Sequence, residues 1–143
     1  MCELRLARPL INIMKENKIS IIINKPISEV FWFSINPANT NKWSDDIKKE
    51  ETNEWPVKVG SKYRSTDGSG TWSEYTLVKF EENQIFELAS EDGKYHVRYT
   101  YTSITENSTE LEYFEWVDNT ELSSPYSKNV LEKLKELIES GNE

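Results

Sequence analysis

KISIIINKPISEVFWFSINPANTNKW, residues 18–43, decides how the rest of the chain is read. Ile19, Ile21, Ile22 and Ile23 form a β-branched run bounded by Asn24 and Pro26, which predicts a strand. Pro26 stands where a helix can begin, because the N–H that proline lacks would have no partner in the first turn. Ser28 is the candidate cap, and Ile27, Val30, Phe31 and Ile35 recur at helical spacing after it. Asn36-Pro37 ends that helix, since the residue before a proline avoids the α region. Residues 38–43 read as a short second helical turn ending on Trp43.

Beyond Trp43 the chain reads as hairpins. Strands are expected at Lys48–Trp55 and Ser61–Thr66, separated by a turn from Pro56 to Gly60. Asp67-Gly68-Ser69-Gly70 is a strong turn signal. Thr71–Phe80 and Gln84–Glu91 follow, joined by Glu81-Glu82-Asn83, and Asp92-Gly93 turns the chain again. Tyr95–Ile104 and Thr109–Val117 make the last hairpin around Glu106-Asn107-Ser108. Residues 118–125 are read as loop, and Ser124-Pro125 as the opening of a final helix. Val130, Leu131, Leu134, Leu137 and Ile138 form its apolar stripe, and Gly141 stands near a C-cap position. The order is β, α, α, six β, α. It predicts an α+β fold: about seven antiparallel strands in one curved sheet, wrapped around the long C-terminal helix. Helix and sheet must bury their apolar faces on each other, and a hollow is left between them.

Composition narrows the function. The chain has 143 residues, 25 acids against 17 bases and a net charge of −8. One domain is expected, at residues 18–140, with 1–17 as an N-terminal tail or arm. A domain of this size buries roughly 68% of its unfolded surface, enough for a core without staples. The negative charge argues against nucleic acid, whose binding needs clustered Lys and Arg. No apolar run approaches the ~20 residues of a membrane span, so no integral membrane association is expected. Cys2 is alone, so no internal disulfide can form, which fits a reducing, cytoplasmic setting. The start, MCELRLARPLINIM, lacks the continuous apolar core of a signal peptide. Met14 makes residues 1–13 readable as an extension.

The order and several motifs resemble the START-like superfamily of helix-grip proteins, also called Bet v 1-like or SRPBCC, and within it the polyketide cyclase/dehydrase and lipid-transport branch. The matching residues are Ile19–Ile23, Pro26, Val30-Phe31-Trp32 and Trp43, then Val57-Lys58-Val59-Gly60. They continue through the strand pair from Tyr75 to Phe86, the hairpin Asn107-Ser-Thr-Glu-Leu and the long helix. The likeness covers about residues 17–139. Ser108 stands where the family usually has a glycine.

The resemblance implies a strand register, because side chains alternate between faces. Leu111, Tyr113, Glu115 and Val117 then face the hollow, as do Val97, Tyr99 and Tyr101. Tyr75 with Leu77 and Phe86 with Leu88 are the inward pairs before them. A slip of one residue would instead turn Phe114 and Trp116 inward. The ligand-binding candidates are Tyr75, Leu77, Phe86, Leu88, Tyr99, Tyr101, Tyr113, Glu115 and Leu134. Glu115 is the candidate acid or base, since a carboxylate facing an apolar hollow is costly unless paired; its alternative is a sheet-surface or lysine-paired glutamate. The tyrosines offer an apolar body with one donor at the tip, suited to a flat, oxygen-bearing ligand.

Other signals are weaker. Trp43 and Trp72 read as core pillars. Phe31, Trp32 and Phe33 cannot share one helix face. His96, the single histidine, is expected outside with Arg98, both solvated. No serine elbow, Walker A or G-x-G-x-x-G occurs, and the Asp67 turn is not a phosphate cradle. Asp45-Asp46 and Glu50-Glu51 read as exposed charge pairs, with no metal and no cofactor expected. Three functions stay open. The first is binding of a hydrophobic or aromatic small molecule, lipid- or polyketide-like. The second is a polyketide cyclase/dehydratase-like enzyme using a cavity acid or base. The third is an interaction module of the chaperone-activator type, or a homodimer, built on outer-face Phe114 and Trp116.

Overall fold

The structure, a computed structural model, describes residues 15–123 and 125–141. Cys2 and the segment 1–13 read above as an extension lie outside the described residues. The elements run β1 (Glu16–Ile23), α1 (Ile27–Ile35), α2 (Pro37–Trp43), β2 (Lys49–Thr52), β3 (Lys62–Thr66), β4 (Ser73–Glu81), β5 (Ile85–Ser90), β6 (Tyr95–Thr105), β7 (Ser108–Val117) and α3 (Lys128–Ser140). The seven strands form one antiparallel sheet in the order β1-β7-β6-β5-β4-β3-β2. Neighbours in sequence pair as hairpins from β2 to β7, and β1 closes onto β7.

The isoleucine run sets that closure. Ile19, Ile21 and Ile23 stand opposite Tyr113, Leu111 and Thr109, so the inner faces of both strands become apolar together. Thr109, Leu111, Tyr113 and Glu115 are all buried. Phe114 and Trp116 lie on the outer face. Ser108 at the family's glycine position leaves this register intact, and the irregularity falls one turn away, between Ser103 and Thr105.

One half of the concave face is solid. Leu131, Leu134 and Ile138 of α3 are fully buried, as are Phe31 and Ile35 of α1 and Leu77 and Leu111 of the sheet. Each such aliphatic side chain contributes about 1.5–3 kcal/mol relative to exposure. Phe31 meets Tyr101 edge-on at 4.9 Å. Tyr101 and Ser34 share a hydroxyl bond at 2.6 Å, and Tyr63 donates to the Ile35 carbonyl at 2.8 Å. These bonds matter because a buried hydroxyl without a partner costs free energy.

Local details depart from the sequence reading. Pro26, not Ser28, holds the N-cap position of α1, and no side chain caps it. The side-chain cap belongs to α2, where Asn36 accepts from the Ala38 N–H at 3.0 Å. α3 begins at Lys128 rather than at Ser124-Pro125, and ends on Gly141 in the left-handed region (φ 78°). Trp43 is a buried pillar, but Trp72 is not: it lies half-buried under the Arg64 guanidinium, 4.1 Å away. Phe31 and Phe33 point inward while Trp32 faces partly out and donates to Glu82 at 3.1 Å.

Candidate functional site

The other half of the concave face is hollow. A cavity of about 820 Å³ opens between the inner faces of β3–β7, the α2–β2 connection and the segment after Val117. No residue of α3 contributes to its wall. The sequence placed the hollow between sheet and terminal helix. In the structure the helix fills its own end, and Tyr126, just ahead of the helix, roofs the space instead.

Of the nine sequence candidates, Tyr75, Leu88, Tyr99, Tyr113 and Glu115 line this cavity. Leu77, Phe86, Tyr101 and Leu134 do not; they lie in the packed core. All nine face the concave side. What separates them is position along it, which alternation of side chains does not encode.

Glu115 is 2% exposed, and its oxygens are spent. One accepts from the Tyr95 hydroxyl at 2.6 Å and, more distantly, from Tyr113 at 3.4 Å. The other accepts from Asn17 Nδ2 at 2.9 Å and from the Tyr126 N–H at 2.8 Å. Asn17 also donates to the Tyr126 carbonyl at 2.8 Å. A carboxylate holding four donors suits a structural role. It ties β1, β6, β7 and the roof together. Tyr126 then stacks on Tyr113 at 4.9 Å, meets Trp43 edge-on and bonds the Ser44 hydroxyl.

Glu50 overturns its reading as an exposed charge. Alternation along β2 sends Lys49 and Glu51 outward, where Arg64 holds Glu51 at 2.7 Å, and sends Glu50 inward opposite Ser65. Glu50 lines the cavity and is half-buried, crowded by protein but still open to the hollow. Burial pushes its carboxyl from 4.5 up to about 7, opposed by the hydrogen bond from Thr40. Only desolvation explains that direction, because the charged form is the one that burial penalises. Thr40 Oγ1 donates to Oε1 at 2.6 Å. Oε2 has no hydrogen-bond partner among the described residues. It is not among the polar atoms sealed away without one, which are Trp43 Nε1 and Asn83 Oδ1. The Tyr99 hydroxyl likewise has no partner among the described residues and is not sealed, whereas Tyr75 is within reach of the Ser65 and Ser73 hydroxyls. Burial raises both phenols, so they stay O–H donors at neutral pH. The hollow therefore offers two uncommitted polar groups, on Glu50 and Tyr99, in an aromatic wall.

The mouth is acidic. Asp46, Asp67, Glu74, Glu91, Asp92 and Glu121 are exposed around it, and Lys94 is the one cationic side chain in the wall among the described residues. Hydrogen bonds from the Ser69 and Ser90 side chains first, and from the Ser69 and Lys94 backbone N–H groups second, hold the Asp67 and Asp92 carboxyls below the usual range. No three His, Cys, Asp or Glu side chains among the described residues converge to hold a metal ion.

On the outer face, charge covers Phe114 and Trp116, while Ile22 and Ile104 stand exposed. His96 stacks on Trp116 at 4.8 Å and bonds Asp118 at 2.9 Å. Arg98 is not simply solvated: it bonds buried Glu87 at 2.7 Å and lies over Trp116. Lys18 covers Phe114 at 5.0 Å. Phe114 and Trp116 are thus half-buried rather than a bare apolar patch.

An open antiparallel sheet holding a C-terminal helix, with a hollow beside it, defines the helix-grip class. A family model described as Domain of unknown function (DUF3284) matches residues 17–135, and the chain belongs to that family. Its structural neighbours share the fold at low identity. The EF2215 protein of unknown function from Enterococcus faecalis has a TM-score of 0.69 at 13% identity, covering 90% of this chain and 73% of its own. The Aha1 dimer from Colwellia psychrerythraea scores 0.64 at 15%, covering 91% and 100%. Ara h 8.0201 scores 0.60 at 10%, covering 87% and 97%. Comparison with curated proteins finds no match. No helix among the described residues is long and apolar enough to cross a membrane.

Proposed function

We propose that the chain binds an apolar or aromatic small molecule in the hollow beneath Tyr126. The observation that carries this is a cavity of about 820 Å³ whose wall combines tyrosine rings with uncommitted oxygens on Glu50 and Tyr99. Small-molecule sites span roughly 300–1,000 Å³ and use a few placed polar groups in an apolar wall. The setting is taken as cytoplasmic, supported by the lack of a second cysteine. A cyclase- or dehydratase-like reaction in the same space is the second reading. Glu50 favours it, because a carboxyl poised near neutrality can both give and take a proton. Glu115, first choice from sequence, suits that role poorly, since its lone pairs are occupied. The cations over Phe114 and Trp116 give the interaction-module alternative little support.

Native mass spectrometry of the protein from its own host tests the binding role. The expected result is a co-purifying organic compound, displaced by 1-naphthalenemethanol. Val97→Phe, which adds a ring in the wall, should weaken naphthalenemethanol binding at least about tenfold while the fold persists. A bare polypeptide mass and no saturable naphthalenemethanol binding by calorimetry would sink it.

A further inference from the structure

Granting that the hollow is a binding site, its charge pattern selects the guest. Six exposed carboxylates ring the mouth against the single ammonium of Lys94. Asp46, Glu74 and Glu121 have no ion-pair partner among the described residues. A charged rim over low-dielectric walls focuses its field into the opening. Inside, Glu50 keeps one oxygen without a partner, and the aromatic rings of Tyr75 and Tyr99 share the wall with it. Rings and a carboxylate together are how proteins hold organic cations.

We infer that the guest is a cation, an ammonium group on an aromatic or apolar body, with its charge held at Glu50 and its body against Tyr75, Tyr99 and Leu88. Anionic lipids and carboxylic acids are excluded by the same rim. The binding is linked to protons. Glu50 must give up its proton to meet an ammonium, so affinity rises with pH through the range where Glu50 titrates. The titratable groups whose energies respond to Glu50 are Tyr63 on β3, Tyr75 on β4, Tyr99 on β6 and Tyr126 ahead of α3; α2 contributes the Thr40 hydroxyl. Burial raises all four phenols, so they stay neutral. Asp67, Glu91 and Asp92 at the rim are held low and stay charged. The step near neutrality is therefore Glu50's own.

Calorimetry with three probes of one shape tests this: 1-naphthylmethylamine, 1-naphthalenemethanol and 1-naphthaleneacetate. At about pH 8 the amine should bind about tenfold tighter than the alcohol, with the acetate weakest. From about pH 6 to about pH 8 amine affinity should rise about tenfold while alcohol affinity stays level. Glu50→Gln should erase the amine's advantage over the alcohol and its pH dependence. Equal binding of amine and alcohol, or amine affinity falling as pH rises, overturns the cation assignment and leaves the binding role standing. Failure of all three probes to bind overturns both.

Discussion

Two carboxyls line one hollow, at opposite ends of the sheet, and the protein treats them in opposite ways. Glu115 on β7 is surrounded by Tyr95, Tyr113, Asn17 and the Tyr126 N–H. Glu50 on β2 has one hydroxyl, Thr40, and a free oxygen. Glu115 is fully buried and Glu50 only half-buried, yet the first is built into the scaffold and the second is left over. A buried carboxylate with four donors is structural; a desolvated carboxyl with one is a liability that a folded protein keeps for some use. The lesson is that facing a cavity does not make a residue functional. What counts is hydrogen-bonding capacity that the protein itself has not consumed.

Breaking the Glu115 wall should have the largest effect. Glu115→Ala strands the Tyr95 hydroxyl, the Asn17 amide and the Tyr126 N–H, and loosens the roof. We expect a loss of about 3–5 kcal/mol in urea denaturation. A loss below about 1 kcal/mol would mean that the four bonds do not anchor the roof.

Glu50→Gln should do the reverse. Folded Glu50 holds its proton up to about pH 7, against 4.5 for an ordinary glutamate. The stability it contributes is complete below pH 4.5, is lost as pH rises from there through about 7, and does not return above it. Glutamine cannot ionise and still accepts from Thr40. The variant should therefore match the wild type near pH 4 and exceed it by on the order of 2–3 kcal/mol at pH 8. A constant difference across that range would remove the elevated carboxyl from the account.

The smallest expected change sharpens the Glu115 side. Tyr126→Phe keeps the stacking on Tyr113 and the backbone bond to Glu115, and loses only the Ser44 hydroxyl bond. Thermal or urea unfolding should report about 1 kcal/mol. A loss as large as that of Glu115→Ala would shift the anchor from the carboxylate to the phenol.

Much of this was legible in the sequence. The isoleucine run, the Asn36-Pro37 break and the turn signals fix the order of elements, because each follows from local chemistry. Alternation placed Tyr75, Tyr99, Tyr113 and Glu115 on the concave side. It also placed Leu77, Phe86 and Tyr101 there, as the helical stripe did Leu134, and neither period could tell filled from hollow, since that depends on how far α3 and α1 reach along the sheet. Glu50 was hidden by its neighbour: Glu50-Glu51 looks like a surface pair. The signal that could have revealed it is β3, where Tyr63 and Ser65 alternate with Lys62 and Arg64, so that the hairpin partner of Ser65 must face inward. Tyr126 was unreadable, because it lies in an irregular segment with no period and its place is fixed by Glu115 across a loop and by Asn17, far away in sequence.

The central claim is that the vacant half of the concave face, and not the α3 half, receives a guest. Methyl-resolved NMR during titration with 1-naphthalenemethanol tests it most directly. Saturable shifts are predicted at Leu88, Val97 and Val117, with Leu131, Leu134 and Ile138 unmoved. Shifts centred on the α3 methyls, or no saturable shift at all, would contradict it.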